Sequence, residues 1–144
     1  MFFIENRRTV LCQNCILFDC DETLEISNGP VKLQSLVDLR IAGHVVGICG
    51  NWGLFVKIPG WQHIASFINC CLVVQDQNGN IYGDKAWFLS ELKKYIPADE
   101  YVHVGNEFGR TNSLGFVCGS HDGDAARKAN WRFLLEDEFS RGMR

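Results

Sequence analysis

The chain has 144 residues, 47% of them hydrophobic and 22% charged, with a net charge of −3. That length suits one domain spanning residues 1–144, with enough apolar material for a sizeable core. Mild acidity gives no long-range pull toward nucleic acid or an anionic membrane, and no apolar run approaches the roughly 18 residues that span a bilayer.

Residues 1–14 read as an edge hairpin arm or an irregular lead-in. Met1-Phe2-Phe3-Ile4 runs straight into Glu5, with Arg7 and Arg8 behind it. A secretory signal needs its basic residues first and a longer apolar stretch second, so the expected location is cytoplasmic. The first strand is expected at about 15–19, after which Asn28-Gly29-Pro30 is a turn signal. From Val31 the apolar positions 31, 33, 36, 37, 39 and 41 trace one helical face, and Gly43 supplies a left-handed cap. Strand two follows as Val45-Val46-Gly47-Ile48-Cys49 and ends in Gly50-Asn51-Trp52-Gly53. A helical stretch at about 60–69 leads to strand three, Cys71-Leu72-Val73-Val74. The tight turn Asp76–Asn80 then offers Ile81-Tyr82 as a hairpin partner.

Lys85 opens a helix over 85–96 that Pro97 ends. Strand four is Tyr101-Val102-His103-Val104, running into Gly105-Asn106-Glu107. A Gly-rich region over 109–123 is expected to hold one short helix near 112–117. A second short helix, 124–129, stops at Asn130 before strand five, Trp131–Leu135, and the charged tail is expected to be exposed. Strands alternating with helices at this spacing imply a mostly parallel, doubly wound α/β sheet with right-handed crossovers.

Seven cysteines cannot all pair within the chain. Cys15, Cys20 and Cys49 fall in or beside predicted buried strands, where the thiol is a small hydrophobe. Cys12-x-x-Cys15 is half of a zinc spacing with no second half, and the vicinal Cys70-Cys71 reads as a strand entrance. A reducing compartment is the economical inference.

In such a sheet, ligands bind just beyond the carboxyl ends of strands. The run Cys15-Ile16-Leu17-Phe18-Asp19-Cys20-Asp21-Glu22-Thr23-Leu24 carries an apolar strand directly into acids. Asp19 and Asp21 alternate along extended backbone, so both carboxylates approach one point. Two carboxylates that close need a cation, or one of them must be protonated, which separates a nucleophile from a general acid. A solvated acidic loop would not explain the apolar strand feeding the pair.

This run resembles the first motif of the haloacid dehalogenase (HAD) superfamily, Asp-x-Asp-x-Thr after an apolar strand. Three later sites follow the family order. After strand two, Cys49-Gly50-Asn51 stands where the family has a Ser or Thr that holds phosphoryl oxygens. Cys49 or Gly50 takes that place, depending on alignment; the turn's N–H groups could form an anion nest and Asn51 could add an amide. Lys85, in Gly83-Asp84-Lys85-Ala86-Trp87, resembles the third-motif lysine. A cation at a helix N-terminus opposes the helix dipole, which is easier to understand if it reaches carboxylates and a phosphate. Gly105-Asn106-Glu107 resembles the fourth motif, which holds Mg²⁺, but Asn106 replaces the usual first acid and Asn112 falls where a second could be. An amide oxygen can still ligate Mg²⁺, while the lost charge weakens the site.

The resemblance implies a three-layer Rossmann-like fold of about five strands, with no room for a large cap domain in residues 24–44 or 54–84. It implies a Mg²⁺-dependent phosphomonoester hydrolase. Asp19 would be the nucleophile and Asp21 the acid and base, with Thr23 positioning Asp21 and Lys85 stabilising charge. Cys49, Gly50 and Asn51 would hold the phosphate, and Asp19, Asp21, Asn106 and Glu107 the metal. An open site suits phosphate on a large or protruding substrate, or a site that an oligomer neighbour covers. The alternative is a binding or regulatory module with weak or no turnover; a receiver domain fits less well, because its phosphorylated Asp follows the third strand. Of the remaining candidates, Ser120-His121-Asp122-Gly123-Asp124 mixes metal-type ligands within a surface-loop composition. His103, inside strand four, reads as a packed core histidine. Trp61, Trp87 and Trp131 read as core or rim aromatics, with Trp52 beside the second strand end.

Overall fold

A computed structural model describes residues 13–69 and 73–144. The lead-in up to residue 12, one end of Cys12-x-x-Cys15, and Cys70-Cys71 lie outside the described residues. The strands are β1 Asn14–Phe18, β2 Val45–Ile48, β3 Phe67–Ile68, β4 Val74–Gln75, β5 Ile81–Tyr82, β6 Glu100–Gly105 and β7 Arg132–Leu135. The helices are α1 Leu33–Ile41, α2 Lys85–Tyr95, α3 Asp122–Lys128 and α4 Glu136–Ser140.

Five strands form one sheet in the order β3-β2-β1-β6-β7, and every neighbouring pair is parallel. Alternation along β1 divides the core in two. Ile16 and Phe18 join one buried cluster with Leu36 of α1 and Phe139 of α4. Cys15 and Leu17 join the other, with Leu89 of α2 and Ala126 of α3. The period of two therefore places helices on both faces, a Rossmann-like three-layer arrangement. Cys15, Cys20 and Cys118 are buried free thiols, and Cys49 is buried as well. Chain progress runs outward from β1 through β2 to β3, then returns to the other side of β1 with β6. The strand order thus reverses between β1 and β6, and a crevice opens at their carboxyl ends. Among the described residues no helix is long and apolar enough to cross a membrane.

Four segments differ from the sequence expectation. The third strand of the sheet is Phe67–Ile68, the Cys71-Leu72 half of the expected strand lies outside the described residues, and only a short 3-10 turn at Trp61–His63 stands in the stretch expected to be helical. Val74–Gln75 pairs antiparallel with Ile81–Tyr82, the expected hairpin partner, but in a separate two-stranded ribbon rather than in the main sheet. Its turn is fixed by the Asp76 carboxylate, which accepts N–H bonds from Asn78 and Asn80. The 112–117 segment is a loop rather than a helix. Asn112 Oδ1 accepts from the N–H groups of Leu114 and Phe116, a local bonding pattern that competes with helix. Finally, the charged tail is exposed only from Ser140 onward. It forms α4, in which Glu136 and Asp137 are buried against Arg110 and Phe139 meets Phe18 edge to face at 5.1 Å.

Candidate active site

Asp19 leaves β1 at the reversal point, and its backbone N–H still donates to Val104 of β6 at 2.9 Å. Its side chain is only 2% exposed. Glu22 takes a positive φ of 56°, which folds the chain back so that Thr23 comes beneath Asp19. Thr23 Oγ1 donates to Asp19 Oδ2 at 3.3 Å, and Gly29 lets the backbone close behind it. A Cβ at Gly29 would lie 1.9 Å from the Thr23 carbonyl carbon, so no larger residue fits there.

Lys85 enters from α2. Asp84 caps that helix by accepting from the Trp87 N–H at 2.8 Å, which fixes where the first turn starts. The Lys85 ammonium then sits between two buried carboxylates, Asp19 Oδ1 at 3.3 Å and Asp122 Oδ1 in closer contact. Asp122 was not a favoured site residue from sequence, yet it completes the cluster. It opens α3, and its Oδ2 accepts the Asn106 backbone N–H at 2.9 Å. Gly105 makes that seat possible: a Cβ there would lie 2.3 Å from Asp122 Oδ2. Behind Asp122 stands His103, fully buried, with Nδ1 bonded to the Leu17 carbonyl at 2.9 Å and Nε2 3.7 Å from Asp122 Oδ1.

Burial pushes Asp19 up to about 7; Asp122 adds to this and Lys85 opposes it. Burial would also raise Asp122, but His103 and Lys85 beside it hold it well below the usual carboxylate range. For Lys85, burial favours the neutral amine, and the two carboxylates outweigh it and raise its pKa. His103 is lowered by burial and by the Lys85 charge, despite Asp122 beside it.

Asp21 approaches the same point by its backbone rather than its side chain. Its carbonyl accepts from Asn106 Nδ2 at 2.7 Å. Its carboxylate is held to one side, accepting from Ser27 Oγ at 2.7 Å and Asn51 Nδ2 at 3.3 Å. The expected phosphate nest is engaged internally. The Cys49 N–H continues the ladder to Phe18, the Gly50 N–H donates to Asn69 Oδ1 at 2.8 Å, and Asn51 goes to Asp21. Gly50 nonetheless matters sterically, since a Cβ there would meet Asp19 Oδ1 at 2.3 Å.

Asn106 is fully buried at the end of β6. Its Nδ2 faces three oxygens: the Asp21 carbonyl, Thr23 Oγ1 at 3.3 Å and Asp19 Oδ2 at 3.4 Å. Glu107 instead turns toward α3, its backbone bridging His121 and its Oε1 lying over Gly123. Asn112 serves the turn after β1, donating to the carbonyls of Glu22 and Asn28 at 3.0 and 2.9 Å.

Among the described residues no three His, Cys, Asp or Glu side chains gather as a metal site. The oxygens offered are of another kind. Asn106 Oδ1 is buried with no hydrogen-bond partner. A half-turn of the amide would put that oxygen where Nδ2 now stands, beside the Asp21 carbonyl and Asp19 Oδ2. The set is then all oxygen, which suits Mg²⁺. The residues fit such an ion in that turned state, without Glu107. Beside the cluster, a cavity of about 530 Å³ lined by Asp84, Lys85, Ser120, His121, Asp122 and Asp124 opens to solvent.

No protein-family model matches this chain, and neither a curated protein nor a solved structure matches it.

Proposed function

We propose that this chain is a phosphomonoester hydrolase of the HAD type, working through an aspartyl-phosphate on Asp19. The observation that carries the reading is Lys85 held between Asp19 and Asp122 at the reversal point of the sheet. Taking three charged groups out of water is costly, and a buried ion cluster is weak evidence of stability. A cation beside a carboxylate of raised pKa is, however, what a site needs to receive a phosphoryl group.

In this reading an Asp19 oxygen attacks phosphorus in line. The bond from phosphorus to the leaving oxygen breaks, and that oxygen takes a proton from Asp21. Water then attacks the acyl phosphate at phosphorus and gives its proton to Asp21, releasing inorganic phosphate and the Asp19 carboxylate. Lys85 stays charged throughout and balances the transferred group. Thr23 holds the Asp19 oxygen that is not facing Lys85. To act, Asp21 must leave Ser27 and Asn51, whose bonds hold it in the resting position. Magnesium bound by Asp19, the Asp21 carbonyl and Asn106 Oδ1 would neutralise charge on the phosphoryl oxygens.

A second reading, a binding or regulatory module with weak or no turnover, is favoured by the Gly50 N–H and Asn51 amide being spent within the protein. One assay separates the two. The native protein with Mg²⁺ is expected to hydrolyse a generic aryl phosphate, and Asp19→Asn to abolish that activity. Turnover that survives in Asp19→Asn removes Asp19 as nucleophile; no Mg²⁺ binding and no turnover in a native protein with an intact fold selects the module.

A further inference from the structure

The Asn106 amide does something that the oxygen set alone does not require. Its nitrogen donates toward the Asp21 carbonyl, the Asp19 carboxylate and the Thr23 hydroxyl, while its own oxygen is buried without a partner. The Asp21 carbonyl can only accept, and the Asp19 oxygen beside it accepts from Thr23. The Asp21 carbonyl and the Asp19 carboxylate are both acceptors, and two acceptors that share one donor repel each other once that donor is removed. We infer that the Asn106 side-chain NH2 is that donor in the resting protein, standing in for a divalent cation and holding the site together without one.

This inference rests on the phosphoryl-transfer reading only in its choice of cation. The amide and an ion cannot occupy the same place. For Mg²⁺ to enter, three N–H contacts must be given up and the amide must turn its orphaned oxygen inward. Cation binding is thereby coupled to one side-chain rotation, and its affinity is lowered by the cost of that rotation. An aspartate at 106 would reverse the situation. Lacking N–H donors, its ionised carboxylate would face the Asp19 carboxylate and the Asp21 carbonyl unscreened, and a cation would be needed to hold them together.

The test compares the native protein with Asn106→Asp by Mg²⁺ calorimetry and thermal denaturation, with no substrate present. In EDTA the native protein is expected to melt at the higher temperature. Adding ~10 mM Mg²⁺ should leave its melting point almost unmoved while raising that of Asn106→Asp, by linkage to binding. Calorimetry should show Asn106→Asp binding Mg²⁺ at least ~10-fold more tightly, from the added ligand charge. Native protein that binds Mg²⁺ as tightly as the variant, and is stabilised as much, overturns the inference. Should the variant not fold, the native protein alone decides the matter. Its Asn106 Nδ2 protons should exchange with solvent far more slowly than those of exposed Asn78 in Mg²⁺-free buffer. Equal exchange rates would overturn the inference. None of these readouts depends on hydrolysis, so a failed phosphatase assay and a failed amide assignment remain distinguishable.

Discussion

Asp19 and Asp122 are equally buried, each 2% exposed, and they share one lysine, yet their proton affinities move in opposite directions. The difference lies in what else each carboxylate touches. Asp122 has the nearer contact with Lys85, a backbone N–H at 2.9 Å and His103 behind it. The side-chain donors of Asp19 all stand at 3.3 Å or more: Lys85, Thr23 and Asn106. Burial alone does not set the charge state; the closeness of the donors decides whether desolvation wins. Asp122 is held as an anion that anchors Lys85, leaving Asp19 as the more readily protonated of the two.

The strongest way to break this contrast is to remove the shared cation. Lys85→Met leaves Asp122 and Asp19 facing each other in a buried space, and should cost ~3–5 kcal/mol in urea denaturation, the usual penalty for stranding a buried charge. A cost within experimental error would mean that the cluster is not charged as described.

Titration sharpens the contrast. Asp19 has a folded pKa of about 7 against an ordinary 3.8, so the folded state holds a proton that the unfolded chain has released. Its contribution to stability is full below pH 3.8 and is lost as pH rises through about 7. Asp122 is depressed, so its contribution is full above the ordinary carboxylate pKa and is lost as pH falls through the folded value. Stability profiles of Asp19→Asn and Asp122→Asn should therefore differ from the native profile on opposite sides. The first should flatten the decline between pH 4 and 7, roughly the interval between the two Asp19 values, and the second should flatten the loss in acid. Profiles that change in the same direction would show that the two carboxylates are not distinct.

The smallest of these effects concerns geometry. Gly50→Ala places a methyl 2.3 Å from Asp19 Oδ1, and should cost ~1–3 kcal/mol as overpacking while lengthening the contact with Lys85. Phosphatase activity in Gly50→Ala should fall by more than stability predicts; unchanged activity would show that Asp19 tolerates displacement.

Asp19, Thr23 and Lys85 were legible because their positions follow from local rules. An apolar strand of period two ends at the first, and an Asp-capped helix begins at the last. Asp122 was harder to place, since it lies 16 residues beyond Asn106 in a Gly- and Ser-rich segment. The acids Asp122 and Asp124, opening a run of good helix formers, were the available signal. The β3 position was misread because the apolar run over 71–74 is longer than Phe67-Ile68, although both are strand formers. A two-residue strand is chosen by the open edge beside β2, which no local pattern shows. The buried start of the tail, Glu136 and Asp137, has the same cause. Glu136 and Asp137 look like solvated residues until the 106–121 loop brings Arg110 to them.

The bare α-carbon of Gly105 has a consequence for how this protein could be rebuilt. The seat of Asp122 is defined by the last residues of a central strand, Gly105 and Asn106, and not by the excursion that separates them from it. Segments of other lengths could be spliced between those two fixed stations, varying what the molecule presents around its crevice while the ionic anchor beneath stays in register.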